Sequence, residues 1–125
     1  MTNAPERLKR RSEFLRASAN GRKVAVTGLV LQAVPRADGG LMLRCGFTVS
    51  RRVGNAVIRN RARRRLKAVA AEIMSERAEP GFDYVLIGRA TTAERPYDAL
   101  RRDLVAALKR LKLCRDGGHA GPGAA

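Results

Sequence analysis

From Gly39 to Ala71 the chain carries nine arginines or lysines and not one aspartate or glutamate. A segment so uniformly charged cannot be wholly buried, so any fold open to this chain must keep one side of it at the surface. Eight of these cations crowd the seventeen residues from Arg51 to Lys67. Gly54 interrupts the run, and Asn55 is a good N-cap, because its side-chain oxygen can accept from an unpaired backbone N–H one turn later; a helix is expected from Ala56. At about 100° per residue, Ile58, Ala62, Leu66, Val69 and Ile73 share one arc, which predicts a buried stripe. Asn60, Arg64 and Lys67 lie opposite that stripe, Arg59, Arg61 and Arg63 flank it, and Arg65 sits beside it and must run its aliphatic stem along the apolar surface.

A helix face that is merely solvated generally interleaves signs, since like charges one turn apart cost a few tenths of a kcal/mol each. This one does not, and a polyanionic partner is the simplest source of relief. The whole protein agrees. Its 125 residues carry a formal net charge of +15 and a pI near 11.5, the electrostatic footprint of a nucleic-acid binder. An anionic membrane is the rival surface. No stretch approaches eighteen consecutive apolar residues, and the basic helix has small Ala and Val rather than Trp or Phe on its stripe, so no membrane partner and a cytoplasmic location are expected. The length supports one domain, and 45% hydrophobic residues suffice for its core. Cys45 and Cys114 have no CxxC spacing and no nearby histidine, which reads as two free thiols and no metal site.

In chain order, residues 1–11 are polar and basic and read as an N-terminal arm. Ser12 can cap a short helix carrying Phe14 and Leu15, which ends at Asn20-Gly21 with Gly21 in the left-handed conformation. Arg22 to Val34 is rich in Val, Leu and Thr and is expected to bulge or divide at Gly28. Leu41 to Val49 alternates, with Leu41, Leu43, Cys45, Phe47 and Val49 on one face and Met42, Arg44, Gly46 and Thr48 on the other. After a stop at Ala78–Gly81, Phe82 to Gly88 reads as a central strand, Asp83 as a structural cap at its start, and the strand–helix–strand succession as a parallel pair. Pro96 opens a last helix with a stripe of Leu100, Leu104, Leu108 and Leu111. The domain is therefore placed at 12–113, with a disordered tail over 114–125.

The stretch from Leu43 to Arg61, with the strand before Gly54-Asn55, the core Arg59-Asn60-Arg61, the Asp83-Tyr84 strand after it and Phe14 in a short N-terminal helix, resembles the signature of the bacterial ribonuclease P protein subunit over roughly residues 7 to 112. The resemblance implies an α+β two-layer sandwich like domain 2 of ribosomal protein S5, in the order helix, strands, basic helix, strand, helix, with a left-handed crossover. It implies a non-catalytic protein subunit of a ribonucleoprotein endoribonuclease that removes the 5′ leader of precursor tRNA. The large RNA subunit would carry the active site, and the magnesium ions would be held by that RNA and the substrate. The protein would be a monomer in the holoenzyme. Position by position, Arg51, Arg52, Asn55, Arg59, Asn60, Arg61, Arg63, Arg64 and Lys67 correspond to the surface for the catalytic RNA. Phe14, Ser18 and Gln32 correspond to the cleft for the single-stranded leader, and Arg44 and Thr48, on the outward face of the alternating strand where a ligand backbone can approach closely, are expected to join them. Ser18 and Gln32 stand where some members have aromatics, so Phe14 is expected to be the one stacking ring, with charge and hydrogen bonds supplying the rest. Arg65 stands where the family often has an apolar residue.

Three other classes compete. A small basic RNA binder such as a ribosomal protein would share the charge argument and lack the motif. A self-sufficient nuclease needs clustered carboxylates or a histidine pair, whereas the only histidine is His119 near the end of the chain and the eleven acids are scattered. A duplex-DNA regulator would show helix-turn-helix spacing, and none is visible.

Overall fold

The computed structural model describes residues 6–115. A five-stranded sheet in the order β1-β4-β5-β3-β2 runs through its middle. The strands are β1 (Glu6–Arg7), β2 (Arg22–Ala25), β3 (Leu29–Pro35), β4 (Arg44–Thr48) and β5 (Phe82–Gly88), and the helices are α1 (Arg11–Asn20), α2 (Ala56–Arg77) and α3 (Tyr97–Arg110). The expected division at Gly28 is a hairpin: β2 and β3 pair antiparallel, Arg22 opposite Ala33. β5 is central as its composition predicts, antiparallel to β3 and parallel to β4, with α2 as the crossover between β4 and β5.

Side chains alternate across the sheet. Leu29, Leu31 and Ala33 of β3, Cys45 of β4 and Tyr84 and Leu86 of β5 face α2 and α3 and form the main core with Leu66, Val69, Leu100, Leu104 and Leu108. This is the two-layer α+β sandwich. Burying each leucine of the α3 stripe contributes about 2 kcal/mol, and Leu100, Leu104 and Leu108 are fully buried. The other face of the sheet is covered only in part. There α1 rests on a small cluster of Leu8, Ala17, Val34 and Val85, with Phe14 and Ile87 packed against it.

Several boundaries differ from the sequence reading. The placement of 1–11 outside the domain does not hold from residue 6 onward: β1 pairs parallel with β4, Leu8 is buried, and its N–H donates to the Cys45 carbonyl at 2.9 Å. Residues 1–5 and 116–125 lie outside the described residues. At the other end Cys114 still forms a bridge with Ala78. β4 begins at Arg44 rather than Leu41, because Arg44 pairs with Asp83 and the facing strand extends only one residue further, to Phe82; Leu41 and Met42, without a partner strand, are exposed. Helix α1 starts at Arg11, ahead of Ser12, and the Glu13 carboxylate accepts from the backbone N–H groups of Lys9 and Arg10, both at 3.1 Å. Gly21 is extended rather than left-handed. It is glycine for want of space, since a Cβ there would stand 2.4 Å from the Ala17 carbonyl oxygen.

Candidate nucleic-acid interface

The helix expected from Ala56 begins there, and the Asn55 side chain accepts from the Ile58 N–H at 3.0 Å. The oxygen of Asn55 is thus committed to the cap. Ala62, Leu66, Val69, Ala70, Ile73 and Met74 are buried, so the stripe is real. Ile58 is an exception and is 37% exposed. It lies in the first turn, where its side chain folds back over Gly54, so closely that a Cβ on Gly54 would come within 3.0 Å of it.

The cations of this region fall into two groups. Arg65 is committed to structure: its Nε donates to the Thr92 carbonyl at 3.1 Å, a terminal nitrogen donates to the Arg95 carbonyl, and the guanidinium lies 6.0 Å from the centre of the Tyr97 ring. It pins the loop between β5 and α3. Arg59 donates to the Gly54 carbonyl at 3.2 Å, and Arg63 to the Asn60 side chain at 3.1 Å, so these two order the helix surface locally. Arg61 faces Glu94 across 3.7 Å at the surface; the stretch of α2 before Glu72, which has no acid of its own, draws a partial counter-charge from a distant loop. Arg51 and Arg52, in a short 3₁₀ turn ahead of α2, together with Arg64 and Lys67, have no side-chain hydrogen bond or ion pair among the described residues. Arg51, Arg52, Asn60, Arg61 and Arg64 are exposed. Of the predicted residues, Asn60, Arg61 and Arg64 meet in one shallow depression on α2, lined also by Val57 and Arg65.

A second concavity runs between α1 and the open part of the sheet, lined by Lys9, Arg11, Phe14, Leu15, Ser18, Gln32, Phe47, Thr48, Val85 and Ile87. Four of the five residues predicted for a cleft meet here: Phe14, Ser18, Gln32 and Thr48. The Phe14 ring lies over Gly46, where a Cβ would fall 2.5 Å from the ring, so a glycine at this point of β4 is what lets the aromatic settle against the sheet. Gln32 is only 7% exposed, yet its amide makes no hydrogen bond among the described residues. Its amide lines the groove, where it is free to pair with a ligand.

Arg44 does not belong to this groove. Its Nε and one terminal nitrogen hold both carboxylate oxygens of Asp83, at 2.7 and 2.8 Å, and the other terminal nitrogen meets Glu13 at 3.0 Å. The hydrogen bond to Asp83 holds the guanidinium more firmly protonated than usual. Asp83 is accordingly not a strand cap but the buried partner of Arg44. Phe47, on the opposite face of the alternating strand from Thr48 and absent from the expected cleft, is half-buried, borders the groove and carries Arg7 over its ring at 5.7 Å. Alternation sends it to the core face correctly, but it sits on β4, where only the two-residue β1 lies outside it. Lys9 and Arg11 were counted in the arm, and only the docking of Leu8 could have placed them at the rim.

Among the described residues no group of three or more histidines, cysteines, aspartates or glutamates could hold a metal ion. Among the described residues no helix is long and apolar enough to cross a membrane. Burial pushes the Cys45 thiol up, and both cysteines are free.

The model of the family described as Ribonuclease P matches residues 2–112. The ribonuclease P protein component of Paramagnetospirillum magneticum (strain AMB-1) is 54% identical over 109 residues, covering 85% of this chain and 82% of that one. Its counterpart from Gluconacetobacter diazotrophicus is 47% identical over 110 residues, covering 88% and 94%. Among solved structures, the ribonuclease P protein of Staphylococcus aureus superposes with a TM-score of 0.73 at 25% identity, covering 87% of this chain and 97% of that one. That of Thermotoga maritima gives 0.72 at 27% identity, covering 84% and 96%. With the motif, the sheet order and these relatives in agreement, the chain belongs to the ribonuclease P protein component family.

Proposed function

We propose that this protein is the tRNA-processing protein subunit of ribonuclease P, binding the catalytic RNA through the basic face of α2 and the 5′ leader of precursor tRNA through the groove beside α1. The observation that carries the reading is the sorting of cations. Arg36, Arg44, Arg65 and Arg95 are bound to protein acceptors, whereas Arg51 and Arg52 in the turn ahead of α2 and Arg64 and Lys67 within the helix are uncommitted, as phosphate-binding groups must be. The groove has the features of a single-strand site: a ring to stack on, an unspent amide in Gln32, the Ser18 and Thr48 hydroxyls, and Lys9 and Arg11 at its rim. In this reading the RNA carries out the magnesium-dependent hydrolysis, with magnesium held by RNA and substrate. The protein orients and neutralises, and it works in the cytoplasm.

The test is cleavage of precursor tRNA by a bacterial ribonuclease P RNA at low magnesium, with and without the protein. Added protein should raise cleavage, and Phe14→Ala should weaken binding of precursor tRNA about tenfold, roughly the worth of one stacked base, while leaving mature tRNA unaffected. A protein that adds nothing to cleavage would overturn the proposal. Equal losses for both RNAs would reassign Phe14 to packing alone.

A further inference from the structure

The task of Arg44 follows from what it joins. Asp83 stands on the central strand and is 3% exposed, Arg44 on the neighbouring strand is 16% exposed, and Glu13 is on α1, so one guanidinium links two carboxylates from elements 31 and 39 residues away in sequence. Only arginine suits this place. Its planar fork serves Asp83 with two parallel bonds and still has a nitrogen for Glu13, whereas a lysine offers a single point of charge. Glu13 also receives the N–H groups of Lys9 and Arg10, so the same carboxylate closes the start of α1 and ties it down.

The helix needs such a tie. Ten residues are too few to be stable alone, and only Ala17 of α1 is buried. Among the described residues, Glu13–Arg44 is the one ion pair between α1 and the sheet. The next residue after Glu13 is Phe14. Along one face of β4, Arg44 holds Glu13, Gly46 seats the Phe14 ring, and Thr48 lines the groove.

We propose that Glu13 and Arg44 are positioning residues. The chain Asp83–Arg44–Glu13 locks α1 at the separation from the sheet at which Phe14 can stack a leader base, so it sets leader discrimination without touching RNA. This rests on the reading of the groove as the leader site, and the experiment separates the two.

Holoenzyme is assembled with wild-type protein, Glu13→Gln, Arg44→Lys and the double variant, and affinity is compared for precursor and mature tRNA. Glu13→Gln keeps an acceptor for the Lys9 and Arg10 amides and loses the charge; Arg44→Lys keeps a cation beside buried Asp83 and loses the fork. Each should lower discrimination about tenfold, the scale of a lost charge-assisted hydrogen bond, with affinity for the catalytic RNA unchanged. The double variant should be no worse than the more damaged single one, since both cut the same link. Native discrimination in folded Glu13→Gln would show that capping of α1 is all Glu13 does and would overturn the proposal, as would additive losses. Independently of RNA, 4-fluorophenylalanine placed at position 14 should shift its fluorine resonance in Arg44→Lys, and an unmoved resonance would refute the clamp. If wild-type holoenzyme does not distinguish the two tRNAs, the groove reading falls, and the fluorine result alone decides whether the clamp holds α1.

Discussion

Arg65→Ala should destabilise the protein although the residue lies in its most basic stretch, where loss of a charge would ordinarily relieve repulsion. The side chain donates to the Thr92 and Arg95 carbonyls and covers the Tyr97 ring. Two hydrogen bonds from a partly exposed guanidinium contribute about 1 kcal/mol each, and a partly hydrated cation–π contact about 0.5 kcal/mol. The loss is therefore about 2.5 kcal/mol, and at roughly 4 °C per kcal/mol for a chain of this size it lowers Tm by about 10 °C. The loop would loosen without detaching, because the Thr92 hydroxyl still donates to the Gly28 carbonyl at 2.7 Å and accepts from the Arg89 N–H at 2.7 Å. Melting followed by circular dichroism measures this, with Arg64→Ala as the matched control: its side chain is exposed and uncommitted, so its Tm should stay within about 2 °C of wild type. If the two variants melt alike, the division of the arginines into structural and ligand-facing groups is wrong.

Leu66→Ala should cost about 3 kcal/mol, as large-to-small changes at fully buried positions do, whereas Arg64→Ala with Lys67→Ala should leave melting unchanged and reduce the salt dependence of RNA binding by about two phosphate contacts; titrations at several salt concentrations read the second. Thiol labelling of native protein at mild alkaline pH should modify Cys114 quickly and Cys45 only on unfolding, because burial removes Cys45 from solvent and raises its thiol; two equally fast thiols would contradict the core assignment. The Glu13 carboxyl is held below its ordinary value near 4.5, first by the Arg10 N–H and then by further partners including Arg44. A lowered carboxyl stabilises fully above its unfolded value and loses that contribution as pH falls through the folded one, so the anchoring of α1 should be intact at neutral pH and weaken only on acidification below about 4.5. The fluorine resonance of labelled Phe14 reports it, and a shift beginning near pH 6 would point to another group.

Much of the fold is legible without coordinates because the signals are local. Asn55 caps α2 through an atom three residues from its partner, the leucines of α3 repeat at helical spacing, and the apolar run Phe82–Gly88 announces a strand buried on both faces. The alternation of β4 also held, assigning Arg44, Gly46 and Thr48 to one side. What failed depended on where neighbours stop. Leu41 continues the alternation of β4 but has no facing strand, and Ile58 continues the stripe of α2 but lies over Gly54 instead of the core.

The site divides the same way. The sequence by itself determined that a capped helix, free of acids as far as Ala71, would present a cationic face, since composition and a 3.6-residue period place those charges whatever packs beneath them. Only the tertiary structure decided which cations are spent. Arg44 is taken by Asp83 because the parallel register of β4 and β5 sets them side by side, 39 residues apart, and Arg65 is taken by a loop 27 residues on. The groove likewise exists only because Leu8 docks the chain ahead of α1 and Gly46 leaves room for Phe14, both consequences of strand pairing. Charge and periodicity are properties of the chain, whereas the identity of a side chain's partner depends on distances that only the folded sheet creates.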